Sequence, residues 1–65
     1  MTNTEKLKRI KERCEELLRS SNASELSNAA WRSTIAAIDA LPDMGEHDAE
    51  ILAANIIAAW PDELL

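Results

Sequence analysis

The chain has no tyrosine and no phenylalanine, and its 65 residues include one glycine, one cysteine, one histidine and two prolines. Each scarcity removes a class of answer. A single thiol, Cys14, cannot form a disulfide within the chain, and it suits a reducing cytosol better than a stapled, secreted scaffold. A single glycine, Gly45, excludes a glycine-rich phosphate loop. A single histidine, His47, leaves little for a metal cluster or an imidazole-based reaction centre. No apolar run is long enough to cross a bilayer: the stretch from Ile51 to Trp60 is ten residues, and a span needs about 20. The residues after Met1 are polar and charged rather than apolar, so the expectation is a soluble, cytoplasmic protein with no membrane contact.

Size sets the next constraint. At 65 residues the chain is expected to form one helical domain over 1–65. A domain of that size buries only about 60% of the surface its unfolded chain exposes. With neither disulfide nor metal to supplement a thin core, association with a second copy is the natural remedy.

The net charge is −5 and unevenly spread. Residues 1–19 carry Lys6, Lys8, Arg9, Lys11, Arg13 and Arg19 against Glu5, Glu12, Glu15 and Glu16, a balance of +2. The remainder carries Arg32 alone against Glu25, Asp39, Asp43, Glu46, Asp48, Glu50, Asp62 and Glu63, a balance of −7. An acidic total opposes contact with DNA, RNA or anionic lipid and favours basic partners. The glutamates interleaved with the first segment's lysines and arginines argue against a phosphate-binding face there as well.

Three helices are expected, over about 3–19, 23–40 and 44–60, with no strand because neither a two-residue alternation nor a hairpin turn is present. Thr2-x-x-Glu5 fits a capping box at the first helix, and Ser20, Ser21 and Asn22 compete with the backbone to end it. Leu7, Ile10, Cys14 and Leu17 recur at spacings of three, four and three, a narrow seam suited to pairing. Glu5 with Arg9 and Glu15 with Arg19 stand at the favourable four-residue spacing. The second helix carries its apolar face on Trp31, Ile35 and Ile38, widened by Leu26, Ala30, Ala37 and Leu41, and should stop where Pro42 drives Leu41 out of the helical region. Asp43-x-x-Glu46 offers a capping box to the third, which Pro61 ends or follows with a short turn.

The third helix is unusual. Ile51 to Trp60 reads Ile-Leu-Ala-Ala-Asn-Ile-Ile-Ala-Ala-Trp, apolar on every side except at Asn55. Such a helix has to be surrounded. Eleven alanines lie in the second and third segments, so helices can approach closely but supply little bulk. The expected fold is therefore all-α, a small three-helix bundle or a helical hairpin plus a helix, completed by homodimerisation. A self-sufficient three-helix bundle is the alternative.

Candidate contact residues for a partner are Leu7, Ile10, Leu17, Trp31, Ile35, Asn55, Ile56 and Trp60. Asn55 either sets the register of a buried helix pair or marks a polar edge shared with Asp48 and Asp62. Cys14 reads as a small core residue, with no histidine cluster or basic pocket to activate it. His47 with Glu46 and Glu50 has spacings compatible with a divalent ion, but carboxylates near a helix start are expected from the helix dipole alone. No metal, cofactor or catalytic residue is expected, nor an enzymatic activity. Trp60 to Leu65 is an apolar and acidic tail that either docks on a partner or folds back on the bundle.

The function class these features favour is a noncatalytic interaction module that homodimerises and binds or inhibits another, unidentified protein. The alternative is an acidic decoy in which Asp43, Glu46, Asp48 and Glu50, with Asp39, Asp62 and Glu63, imitate nucleic-acid phosphates and occupy the basic channel of a DNA- or RNA-handling enzyme. Its likeness to the small anti-defence inhibitors of phages is one of size and charge only.

Overall fold

A computed structural model describes residues 2–20 and 24–61, and within them the chain forms three α-helices and no strand. Helix α1 spans Asn3–Arg19, α2 Glu25–Ala40 and α3 Glu46–Ala58, with a 3-10 turn at Leu41–Asp43 joining the last two.

The start of α1 follows from Thr2, whose extended backbone turns its hydroxyl to accept from the Glu5 amide at 3.2 Å. This relieves one of the amides that a helix start leaves without a partner. At its end the Ser20 amide donates to the Glu16 carbonyl at 3.0 Å and the Ser20 hydroxyl to the Leu17 carbonyl at 3.2 Å. Residues 21–23, including two of the expected helix breakers, lie outside the described residues. On the exposed face Arg13 pairs with Glu16 at 3.0 Å, whereas Glu15 and Arg19 do not close into an ion pair.

Helix α2 begins with Ser24 as its cap, the hydroxyl accepting from the Ser27 amide at 3.2 Å. Its end departs from expectation. Leu41, which precedes Pro42, keeps right-handed helical angles of φ −53° and ψ −43°. The chain narrows into the 3-10 turn with Pro42 in its first residues, where a missing amide proton costs nothing. The bias against helical angles before proline is real but was overridden here by a tightening of the helix rather than a break.

The same turn removes the second capping box. Asp43 belongs to it, and α3 instead starts two residues later than expected, with Gly45 as cap and no side-chain acceptor. Glu46 and Asp48 in the first turn complement the dipole in place of a cap. At the other end α3 stops at Ala58, and Ala59 and Trp60 continue as a turn.

Helix α1 is the hub, packing most extensively on α2 and then on α3, while α2 and α3 meet each other least. Ile10 and Cys14, one turn apart on α1, are 0% exposed, and among the described residues they alone are buried. Trp31 of α2 and Trp60 beyond α3 close the remaining side with ring centroids 5.7 Å apart and planes at 55°, a tilted contact of the kind aromatic pairs prefer. The molecule measures 36 × 23 × 14 Å. Its smallest dimension is little more than one 8–10 Å helix spacing plus a backbone width of about 5 Å, so among the described residues no helix has neighbours on all sides.

Candidate interaction surface

The residues expected to contact a partner divide into two groups. Ile10 is fully buried and Leu7, Leu17, Trp31, Ile35, Ile56 and Trp60 are half-buried on the inward faces of their helices. The middle of the α1 seam is therefore covered inside the protomer by α2 and α3, and Ile10 is unavailable to a second chain. This corrects Ile10 as a partner-contact residue. Trp31 and Trp60 likewise find each other. Asn55 is exposed, so in the protomer its amide faces water and sets no buried register.

The apolar third helix is not enclosed. No residue of α3 is buried; Leu52, Ile56, Ile57 and Trp60 are half-buried and Ile51 is 49% exposed. Helix α2 also lacks a buried residue, and Leu26 near its start is 84% exposed. A shallow open groove of about 450 Å³ runs between the first turns of α1 and α3, lined by Leu7, Leu41, Ala49 and Ala53 with Glu46 and Glu50 among its polar residues.

No family model, no curated protein and no solved structure matches this chain. The site is accordingly read from its chemistry alone.

A charged contact joins two of the helices. Lys11 of α1 donates to Asp39 of α2 at 2.6 Å, linking the basic segment to the acidic one within the protomer. The hydrogen bond to Asp39, and then its negative charge, hold the Lys11 ammonium above its ordinary pKa of 10.5. Both side chains remain over a third exposed, at 37% and 56%, so solvent screens the pair and it orients α2 on α1 more than it binds them.

Asp43, Glu46, Asp48 and Glu50 are all exposed around the 3-10 turn and the start of α3. Asp62 and Glu63, which complete the acidic set in sequence, lie outside the described residues, as does all of the tail after Pro61. His47 is exposed beside these carboxylates, and no group of three or more His, Cys, Asp or Glu side chains among the described residues converges to hold a metal ion. Cys14 is enclosed, and burial, followed by the charge of Glu15, pushes its thiol above the ordinary 9.0. That is the opposite of the activation a nucleophilic cysteine needs. No helix among the described residues is long and apolar enough to cross a membrane.

The outer face of α2 corrects the expectation that Leu26 and Ala30 widen the apolar face of Trp31, Ile35 and Ile38: both are exposed, on the other side of the helix. Leu26, Ala29, Ala30, Ser33 and Ala36 are exposed there without a single charged residue between them on that face. The signal was present as a spacing of three and four through Leu26, Ala29, Ser33, Ala36 and Ala40. The larger residues Trp31, Ile35 and Ile38 lie on the opposite side and are half-buried.

Proposed function

We infer that this protein is a noncatalytic, cytoplasmic interaction module that works as a homodimer and binds or inhibits a protein partner. The observation that carries the reading is that two of its three described helices, α2 and α3, bury no residue completely, while Leu26, Met44 and Ile51 stand open to solvent. Apolar area left in water costs about 25 cal/mol per Å² relative to covering it. An apolar surface rimmed by charge is how a small protein presents a contact face. The reading is supported by the burial and raised pKa of the Cys14 thiol and by the lack, among the described residues, of a His, Cys, Asp and Glu group that converges on a metal.

Light scattering and sedimentation velocity from low micromolar to millimolar concentration test the self-association. A mass that doubles over that range supports the dimer, and a monomer throughout overturns it.

A second reading has its own support. Four carboxylates, Asp43, Glu46, Asp48 and Glu50, are exposed within eight residues, and such a cluster could occupy a basic nucleic-acid channel. The two readings differ in salt response. Partner binding through a charge mimic collapses between 50 and 200 mM salt as counterions compete, whereas apolar docking persists.

A further inference from the structure

We propose that the outer face of α2 is the dimer seam, and that two copies pair there antiparallel with Ser33 of one level with Ala36 of the other. The proposal deepens the homodimer reading above by naming its surface.

The face consists of Leu26, Ala29, Ser33, Ala36 and Ala40, spaced three, four, three and four. That is the repeat by which two helices stay in contact along their length. Its first four members are exposed, and Leu26 is the most exposed large apolar residue described. Small side chains along the seam permit axes to approach to the short end of the usual 8–10 Å. Residues on the flanks of two such helices then come within reach of each other.

The flank decides direction and register. Glu25, Arg32 and Asp39 fall every seven residues, each immediately before a seam position, so all three line the same edge. In a parallel pair that edge lies against the opposite edge of the second helix, here Ala30 and Ala37, and gains nothing. In an antiparallel pair like edges meet.

Antiparallel pairing allows two registers with long overlap. With Ser33 level with Ala29 of the second copy, Arg32 meets its own equivalent and Glu25 meets Asp39, so every charged contact is repulsive. With Ser33 level with Ala36, Arg32 of each copy meets Asp39 of the other, two attractive contacts related by symmetry. Arg32 is available for this. Its Nε donates only a long 3.4 Å bond to the Asn28 carbonyl, and it makes no ion pair among the described residues. Asp39 accepts from Lys11 through one carboxylate oxygen and keeps the other. The same register carries Leu26 to the level of the 3-10 turn and Met44 of the second copy, where two exposed apolar residues would be covered together.

The test uses the whole chain in sedimentation velocity, with circular dichroism melts to establish that each variant folds. Ala36→Glu places a charge in the seam and is expected to abolish dimer at concentrations where the unaltered chain is fully dimeric. Arg32→Glu converts two attractions into two repulsions and should weaken association about tenfold. Mixing a Ser33→Cys chain with an Ala36→Cys chain under mild oxidation should give a crosslinked heterodimer faster than either chain alone. Cys14 is enclosed and stays out of that reaction.

A dimer indifferent to Ala36→Glu and Arg32→Glu overturns the α2 seam while leaving self-association standing. Efficient crosslinking of Ser33→Cys to itself in preference to the mixture overturns the antiparallel register. A chain that stays monomeric overturns both readings.

Discussion

Ile10 and Cys14 hold the molecule together at the smallest scale, because among the described residues they are the two side chains from which water is excluded completely. Ile10→Ala removes three buried carbons at the meeting point of the helices, and a loss of about 2–5 kcal/mol is expected, a large part of what a chain of this size possesses. Urea unfolding followed by circular dichroism measures it, and a loss below 1 kcal/mol would mean the core lies elsewhere. Cys14 makes a second prediction through its thiol. Burial raises its pKa in the fold, so the unfolded chain gives up its proton first as pH rises. Stability contributed by the neutral thiol is complete below about pH 9 and declines above it. Lys11 acts in the same direction at still higher pH, because its raised pKa also means that the folded state keeps a proton the unfolded state releases. Thiol labelling at pH 8 should therefore be slow in the native chain and fast in urea, and the melting temperature should fall from pH 8.5 to 10.5. Rapid native labelling would contradict the enclosure. The periodic placing of both residues was legible from spacing alone. What covered them was not, because a period tells which side of a helix is buried but not whether the cover comes from the same chain or another.

The elements were legible to the extent that their ends carry chemistry of their own. Thr2 and Ser24 are hydroxyl residues standing one position before a helix, and both accept an amide proton there. Asp43 had the same signature and failed, since Pro42 and Leu41 continued the preceding helix as a 3-10 turn and displaced the start of α3 to Glu46. A capping motif is local, and a turn two residues upstream can take its first member away. This contrast is measurable. Ser24→Ala should cost about 1 kcal/mol, as losses of a hydroxyl cap do, while Asp43→Ala, which removes no cap bond, should change stability by less than half of that. Gly45 offers the converse. It caps α3 without a side-chain acceptor, at φ −60° and ψ 149°, angles any residue adopts, and an added Cβ meets nothing within 4 Å. Gly45→Ser supplies the missing acceptor and narrows the unfolded ensemble, so a gain of about 0.5–1 kcal/mol is expected. Thermal and urea melts of the three variants decide the matter together, and a destabilising Gly45→Ser would show that the start of α3 is constrained by something other than its cap.

The whole molecule is thin: with 14 Å as its least extent, it has an inside only along α1, and α2 and α3 each turn one side outward. The apolar character of the segment from Ile51 to Trp60 was legible as a demand for cover. The protomer meets that demand in part, with the Trp31–Trp60 contact and the packing on α1, and leaves Ile51 and the outer side of α2 unmet. If a second copy supplies the rest, folding and association are one equilibrium, and stability depends on concentration by mass action. A tenfold rise in protein then adds about 1.4 kcal/mol per dimer, or about 0.7 per protomer. For a domain of this size, that moves the melting temperature by about 3–6 °C. The net charge of −5 on each copy opposes this association over distances beyond the screening length of about 8 Å at physiological salt. Adding salt should therefore raise the apparent stability at fixed concentration, unless the short-range Arg32–Asp39 attractions dominate, in which case it should lower it. A melting temperature constant to within 1 °C from 5 to 500 micromolar means that the protomer is stable with its apolar sides wet, and association then contributes nothing to its fold.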